Sequence, residues 1–445
     1  MSAVLIGEIL ACLMFVGVIG VLLIGFPVAF SLAGTALIFG VVGWLMGVYD
    51  PSNYASIIGR YIGLMSSETL VAVPLFVFMG VMLERSGIAE RLLLTMGKLF
   101  GNLRGGLGIS VIIVGAMLAA STGVVGATVV TMGLISLPAM LRAGYDPKLA
   151  TGVICASGTL GQIIPPSTVL IFMGDMLAGI NAQVQMEKGN FAPEPVSVGA
   201  LFAGALLPGM MLVGLYLCWV IYKAITDPAS APATPVPEDE KKHLAREVMV
   251  ALVPPLLLII AVLGSILGGI ATPTEAASVG SVGAMVLAIA NRKFTFSILR
   301  QAVISTATIT SMVFIILFGA AVFSVVFRMM GGDNLVHAFL SNMPGGAIGA
   351  TIIVMLIPIT APVLLTLGVD PIWLGVMVGV NLQTSFLTPP FGFALFYLRG
   401  VAPPQVSTGM IYRGVIPFVL LQVVGLALLF MFPQLVTWLP ELLYH

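Results

Sequence analysis

The sequence predicts an all-α polytopic membrane fold made of two inverted repeats, each holding a re-entrant hairpin and an interrupted helix. Three observations carry that prediction. The first is composition: 59% of the 445 residues are apolar and 8% are charged, where a globular domain carries about 25% charge. The second is a series of apolar runs long enough to cross a bilayer, which takes about 17 to 25 helical residues. The third is an internal repeat of Gly, Pro and Asp positions at one fixed offset. Charge balances at 18 Lys+Arg against 18 Asp+Glu, so no basic stripe exists to neutralise phosphates and nucleic acid is excluded as a partner. Cys12, Cys155 and Cys218 lie far apart in apolar segments without a C-x-x-C pair, which fits small core residues and neither disulfides nor zinc.

The first 26 residues lack a basic n-region and run apolar for longer than a signal-peptide h-region, so they read as a retained transmembrane helix. Further spans follow at 27–47, 65–84, 148–179 (interrupted), 197–222, 248–269, 273–290, 302–327, 372–398 (interrupted) and 414–432. Residues 226–247 mix Pro and Ala with charge and show no apolar period, which predicts a cytoplasmic linker. It divides a first repeat, 1–225, from a second, 248–432, followed by a tail at 433–445. With the linker inside, 15 Lys and Arg fall on the cytoplasmic face and only Arg60, Lys188 and Arg328 outside. This satisfies the positive-inside rule provided that 107–141 and 347–367 each enter and leave on one face, as re-entrant hairpins do.

The repeat rests on particular matches. Pro138, Gly144, Asp146, Pro147, Pro165 and Pro166 recur as Pro362, Gly368, Asp370, Pro371, Pro389 and Pro390, each 224 positions on. Asn102, Gly105 and Gly106 recur as Asn342, Gly345 and Gly346, 240 positions on. The two hairpins open on opposite faces, so the repeats are inverted, an arrangement that places a solute site near the midplane between the copies.

Candidate site residues follow from the breaks. A Pro-Pro pair removes two backbone donors and clashes with the preceding turn, so the helix is expected to unwind at Pro165-Pro166 and at Pro389-Pro390. In lipid, freed carbonyls cost several kcal/mol each, unless they coordinate a cation while the restarted half-helix aims its positive end at an anion. The first break offers Ser157, Gly158, Thr159 and Gly161, and the second Asn381, Gln383, Thr384, Ser385 and Thr388. The alternative is a structural kink with no ligand. Ser121, Thr122, Gly123 and Gly126 lie mid-way along 107–141, where a hairpin needs its tip, and their hydroxyls and flexible backbone suit Na⁺; close helix packing is the competing use of such small residues. Among carboxylates, Glu68 and Glu275 lie within or beside spans, where an ionisable group is functional by default, although Glu275 also sits where a helix cap belongs. No G-x-x-x-x-G-K-[ST] occurs, so this chain hydrolyses no ATP, and no protease-like arrangement of Ser, His or Asp is present within the spans. An ion gradient is the remaining energy source, and no enzyme is expected.

Four stretches carry a resemblance: Gly-Ile-Ala-Thr-Pro-Thr-Glu-Ala-Ala at 269–277, the Ser157 to Ser167 break, Gly-Val-Asp-Pro-Ile-Trp at 368–373 and the Asn381 to Gly392 break. Together they resemble the large membrane (permease) subunit of the tripartite ATP-independent periplasmic (TRAP) transporters. The resemblance implies a multi-pass protein of the bacterial inner membrane, an elevator-type Na⁺ symporter importing an organic acid. It further implies a small four-helix membrane subunit and a periplasmic substrate-binding protein as partners, besides the carboxylate and membrane lipid. By position, Ser121, Thr122, Ser157 and Thr159 would ligate one Na⁺, and Asn381, Thr384 and Thr388 a second. Family members carry an acidic, aromatic-containing segment before the Pro-x-x-x-Pro-Val run that is missing before Pro358. The first repeat has 37 residues between its Gly-Gly and Gly-x-Asp-Pro (107–143), whereas the second has 21 (347–367). The expectation is a truncated second hairpin, with a channel or non-transporting, transport-impaired scaffold as the alternative function.

Overall fold

Several helices start where the sequence supplies a side-chain oxygen for the orphan amides of a first turn. The computed structural model describes residues 2–192, 195–235, 238–341, 361–366, 368–389 and 392–444, among which no strand occurs. In the N-terminal region, α1 (Ala3–Ile24) is capped by Ser2, α2 (Val28–Leu45) follows Pro27, and α3 (Ala55–Met65) follows a short 3₁₀ turn opened by Asp50. Next, α4 (Ala72–Arg85) bends by 60° into α5 (Ile88–Phe100). The first hairpin is α6 (Gly106–Thr122) with α7 (Val125–Arg142). The first interrupted helix is α8 (Pro147–Thr159) with α9 (Thr168–Glu187), followed by α10 (Val198–Thr226). The second half runs through α11 (Glu238–Leu267), α12 (Pro273–Ala290), α13 (Phe296–Met329), α14 (Gly332–Ser341) and the short α15 (Ala361–Thr366). It closes with the second interrupted helix, α16 (Pro371–Leu387) and α17 (Phe393–Val401), then α18 (Thr408–Met431) and α19 (Gln434–Tyr444). Among the described residues nine helices are long and apolar enough to cross a membrane, and the bent α4–α5 pair qualifies as a tenth if taken as one span.

The chain forms two compact units, each drawing on both halves of the sequence: residues 1–70 with 307–369, and 71–306 with 370–445. In the first unit, Leu10 and Met14 of α1 pack with Val322, Val326 and Phe327 of α13. The opposite side of α1 exposes Leu13, Val16 and Leu23, as a lipid-facing helix does. In the second unit α4 lies along α12, with Ser281 Oγ donating to the Leu75 carbonyl at 2.8 Å. The hairpin α6–α7 packs around α8, and α8 also lies against α18. Contact is close because glycines face each other: a methyl group on Gly152 would fall 2.7 Å from the Gly414 carbonyl carbon. Small residues play this role where helices cannot rely on water to drive them together.

Internal symmetry is visible in caps and contacts. Asp146 accepts from the Lys148 amide at 3.1 Å and Asp370 from the Trp373 amide at 2.6 Å, each with Pro at the first helical position. Ser197 and Ser407 likewise cap α10 and α18. Cys155 Sγ lies 3.8 Å from the Ala394 carbonyl oxygen. Its counterpart relation holds too: a methyl on Gly379 would lie 3.4 Å from Leu170 Cδ2. Since 155 + 224 = 379 and 170 + 224 = 394, the contact i to j′ is matched by j to i′, the signature of a two-fold relation.

Three expectations need correction, and a fourth falls mostly outside the described residues. The span at 65–84 shortens to α4 because Ser66 to Thr69 make a turn, in which Ser67 Oγ accepts from the Leu70 amide at 3.4 Å. Residues 226–247 are no free linker. Ser230 and Ala231 are buried, and their carbonyls take the amides of Asp146 (3.0 Å) and Gly105 (2.9 Å), while the Thr234 amide donates to Gly101 at 2.7 Å. From Glu238 the segment is already α11, which runs through Pro254-Pro255 unbroken, so a Pro-Pro pair alone does not unwind a helix here. The tail at 433–445 is the helix α19, packed on α10. The shortened hairpin at 347–367 falls mostly outside the described residues, of which only 361–366 appear, as α15.

Candidate functional site

The tip of the first hairpin is Gly123-Val124. Gly123 adopts φ 58°, and its amide returns to the Ala119 carbonyl at 3.1 Å. This left-handed conformation ends α6 and favours glycine. The Gly123 carbonyl accepts Thr168 Oγ1 at 3.0 Å and Gln162 Nε2 at 3.4 Å. A carbonyl has two lone pairs, so this oxygen is already saturated by a latch onto the first break. Ser121 is buried, with its hydroxyl donating to the Leu118 carbonyl at 2.8 Å. Thr122 is the last residue of α6.

At the first break α8 ends at Thr159, a 3₁₀ turn covers Leu160–Gln162, and residues 163–166 leave the helix, with a cis bond between Pro165 and Pro166. Ser167 restarts the chain: its Oγ accepts from the Leu170 amide at 3.3 Å and donates to the Gln162 carbonyl at 2.6 Å. Every residue from Leu149 to Ser167 is buried. Ser157 Oγ donates to Val153 O at 2.5 Å and Thr159 Oγ1 to Ala156 O at 2.8 Å. Both hydroxyls thus use their proton on their own helix and keep lone pairs for another partner. The two sit differently. Gly161 packs on Ala119, one turn before the hairpin tip, whereas Ser157 packs on Gly115 and Gly158 on Val129, deeper between the hairpin arms.

The second break opens after Leu387. Thr388 is extended, its Oγ1 donates to Thr384 O at 2.9 Å, and Gly392 precedes the restart at Phe393. Gln383 is fully buried, and among the described residues neither its Nε2 nor its Oε1 finds a hydrogen-bond partner, nor does the buried Oγ1 of Thr384. Unmet buried polar groups cost about 1–3 kcal/mol each. Asn381 and Thr388 are half-buried, while Ser385 and Pro389 are exposed. Pro390 lies outside the described residues. The matched contacts of Cys155 with Ala394 and of Leu170 with Gly379 straddle residues 162 and 386, so the two interrupted helices cross at the level of their breaks. At the breaks themselves, Pro166 lies against Gly123 and Pro389 is exposed.

The hairpin also meets the second break's restarted helix: Gly126, at the start of α7, leaves room for the Tyr397 ring, which a methyl there would approach to 2.9 Å. Gln162, Thr168 and Tyr397 were not singled out from sequence. Gln162 lay inside the recognised motif, but Thr168 and Tyr397 reach the tip only through tertiary contact. Glu84 was likewise missed; its Oε1 accepts Thr131 Oγ1 at 2.7 Å. Neither expected carboxylate joins the site. Glu68 is exposed in a turn, and Glu275 closes an exposed capping box with Thr272. Among the described residues no group of three His, Cys, Asp or Glu could hold a metal ion.

Inverted repeats with interrupted helices crossing at their breaks, and a hairpin tip latched on one of them, define a multi-pass membrane protein of the secondary-transporter class. The sequence matches the family described as "Tripartite ATP-independent periplasmic transporter, DctM component" over residues 15–357 and 349–435, and the chain belongs to that family. It is 30% identical to the C4-dicarboxylate TRAP transporter large permease protein DctM of Vibrio cholerae, over 97% of each chain. It is 29% identical to the sialic acid TRAP transporter large permease protein SiaM of the same organism, over 96% of this chain and 97% of that one. The structure resembles the Alcanivorax borkumensis YdaH transporter, with a TM-score of 0.55 and 16% identity over 86% and 87% of the chains, which speaks to the fold. The chain is therefore a TRAP large permease subunit of the inner membrane and no enzyme.

Proposed function

We propose that this subunit imports an organic acid by Na⁺ symport in an elevator manner, receiving the solute from a periplasmic binding protein and working beside a small membrane subunit. The observation that carries the reading is a trio of buried atoms without a partner among the described residues, Gln383 Nε2, Gln383 Oε1 and Thr384 Oγ1 at the second break. A hard cation takes oxygen ligands, and Gln383 Oε1, Thr384 Oγ1 and the lone pairs on Ser121, Ser157 and Thr159 supply them. Asn381 and Thr388 flank the same break, and Gln383 Nε2 is a donor suited to a carboxylate. The first turns of α9 and α17 point positive half-helix ends at the same crossing. An elevator needs its solute-binding parts on one body, and the first hairpin and the described residues of both breaks belong to one compact unit. Relatives named for C4-dicarboxylate, sialic acid and ectoine transport favour a small organic acid or zwitterion. A longer relative, the isethionate TRAP transporter permease protein DctMQ of Oleidesulfovibrio alaskensis, of which this chain covers 60%, supports a second membrane subunit. In proteoliposomes holding this chain, its membrane partner and its binding protein, uptake collapses when Na⁺ is replaced by K⁺; unchanged uptake would refute the coupling.

A second reading, a transport-impaired subunit, rests on the 16-residue shortfall in the second hairpin and on the family match, which comes in two segments that overlap at 349–357. Uptake by this chain at the rate of a full-length relative would dismiss it.

A further inference from the structure

Below the foot of the first hairpin lies a cavity of about 870 Å³. It is unrelated to the breaks, and the proposed transport reaction does not use it. Its wall is largely apolar, formed by Leu94 of α5, Leu107 of α6 and Ile135 of α7, and Thr234 of the docked linker closes one side. Its mouth carries Arg91, Lys98, Arg142 and Lys293 against Glu90 and Glu247. Two of these cations are engaged: Arg91 Nη1 with Asn291 Oδ1 at 3.4 Å, and Lys98 Nζ with Glu247 at 3.9 Å. Arg142 and Lys293 are exposed and have no carboxylate partner among the described residues.

The position of the cavity limits what fits it. All four cations fall on the face assigned to the cytoplasm, and α5, turned 60° from α4, carries Arg91 and Lys98 on one side and buries Leu92, Leu93 and Met96 on the other. Such a helix lies at the headgroup boundary rather than across the bilayer. Leu94 on the rim is about half exposed, which opens the cavity sideways to lipid. The volume is at the upper end of the range of about 300–1,000 Å³ for small-ligand sites. An inorganic anion would leave the apolar wall unmet, and a neutral lipid would leave Arg142 and Lys293 unmatched. Basic pockets between membrane helices on the cytoplasmic side hold anionic lipid head groups.

We propose that this cavity binds one anionic phospholipid, its phosphate between Arg142 and Lys293 and the start of its acyl chain along Leu94, Leu107 and Ile135. The lipid braces the foot of the hairpin from outside, between α5 and α7. The test is native mass spectrometry of the delipidated full chain in detergent, with phosphatidylglycerol or phosphatidylcholine of the same acyl chains added at equal ratio. Wild type retains phosphatidylglycerol preferentially. The double variant Arg142→Gln/Lys293→Gln, altered only at exposed side chains, loses that preference by about tenfold or more, as removal of two surface cations implies. Ile135→Trp, which fills the cavity, lowers retention of phosphatidylglycerol while the mouth cations remain. Equal retention of both lipids, an unaltered preference in the double variant, or displacement of phosphatidylglycerol by millimolar inorganic phosphate or succinate would overturn the proposal. The last outcome would make the cavity a soluble-anion site.

Discussion

Thr168 Oγ1 donates to the Gly123 carbonyl at 3.0 Å, tying the first turn of a restarted half-helix to the tip of the first hairpin. The bond is buried, and Gln162 Nε2 reaches the same oxygen from the other side of the break. Tip and break therefore move together, or the latch opens.

Removing the latch tests this coupling. Thr168→Val keeps shape and deletes the donor, at a net cost of about 0.5–1.5 kcal/mol. Hydrogen exchange at the amides of Gly123 and its neighbours accelerates by up to about tenfold, and Thr168→Ser retains wild-type protection. Unchanged exchange in Thr168→Val would mean that Gln162 alone holds the tip.

Helix packing gives a second prediction. Gly152→Ala and Gly414→Ala each force α8 and α18 apart, since the added methyl meets backbone rather than a flexible side chain. Each lowers stability by about 1–3 kcal/mol, measured as thermal inactivation in detergent. Because the two residues touch, the double variant loses less than the sum. Additive losses would show that the helices do not meet at this pair.

How much of this was legible beforehand depends on the range of the interaction. The span 273–290 and the hairpin tip near Gly123 follow from local signals, an apolar run behind Thr272-Pro273 and a Gly inside small polar residues. Asp146 and Asp370 were found as equivalent positions because a cap and its Pro lie next to each other in sequence. The docking of Ser230 and Ala231 on Asp146 and Gly105 was not legible: it is made of backbone hydrogen bonds between residues 84 and 126 positions apart, which no side-chain pattern encodes. The same holds for Thr168 and Tyr397, ordinary residues until the fold brings them to the tip. The proline content of Pro165-Pro166 predicts a break, but Pro254-Pro255 stays helical, so the break depends on Ser167 restarting a helix there.

The repeat arithmetic gives a third prediction. A full-length relative from which the 16 residues missing here are deleted at the matching point of its second hairpin transports more slowly than its parent. Initial uptake rates in proteoliposomes check this, and a rate equal to the parent's would show that the shortfall is harmless.

Under the proposed Na⁺ coupling, the atoms of Gln383 and Thr384 that lack partners among the described residues are kept for a ligand that includes Na⁺. Gln383→Leu removes two buried unmet groups, so without ligand the variant is as stable as wild type or more so. Binding to the folded state raises stability with ligand concentration. The decisive measurement is the melting temperature of wild type and Gln383→Leu over a titration of NaCl, with KCl at equal ionic strength as reference. Wild type shows a Na⁺-specific rise that Gln383→Leu loses, from a starting point no lower than wild type. An equal rise in both proteins, or none in wild type, would contradict it.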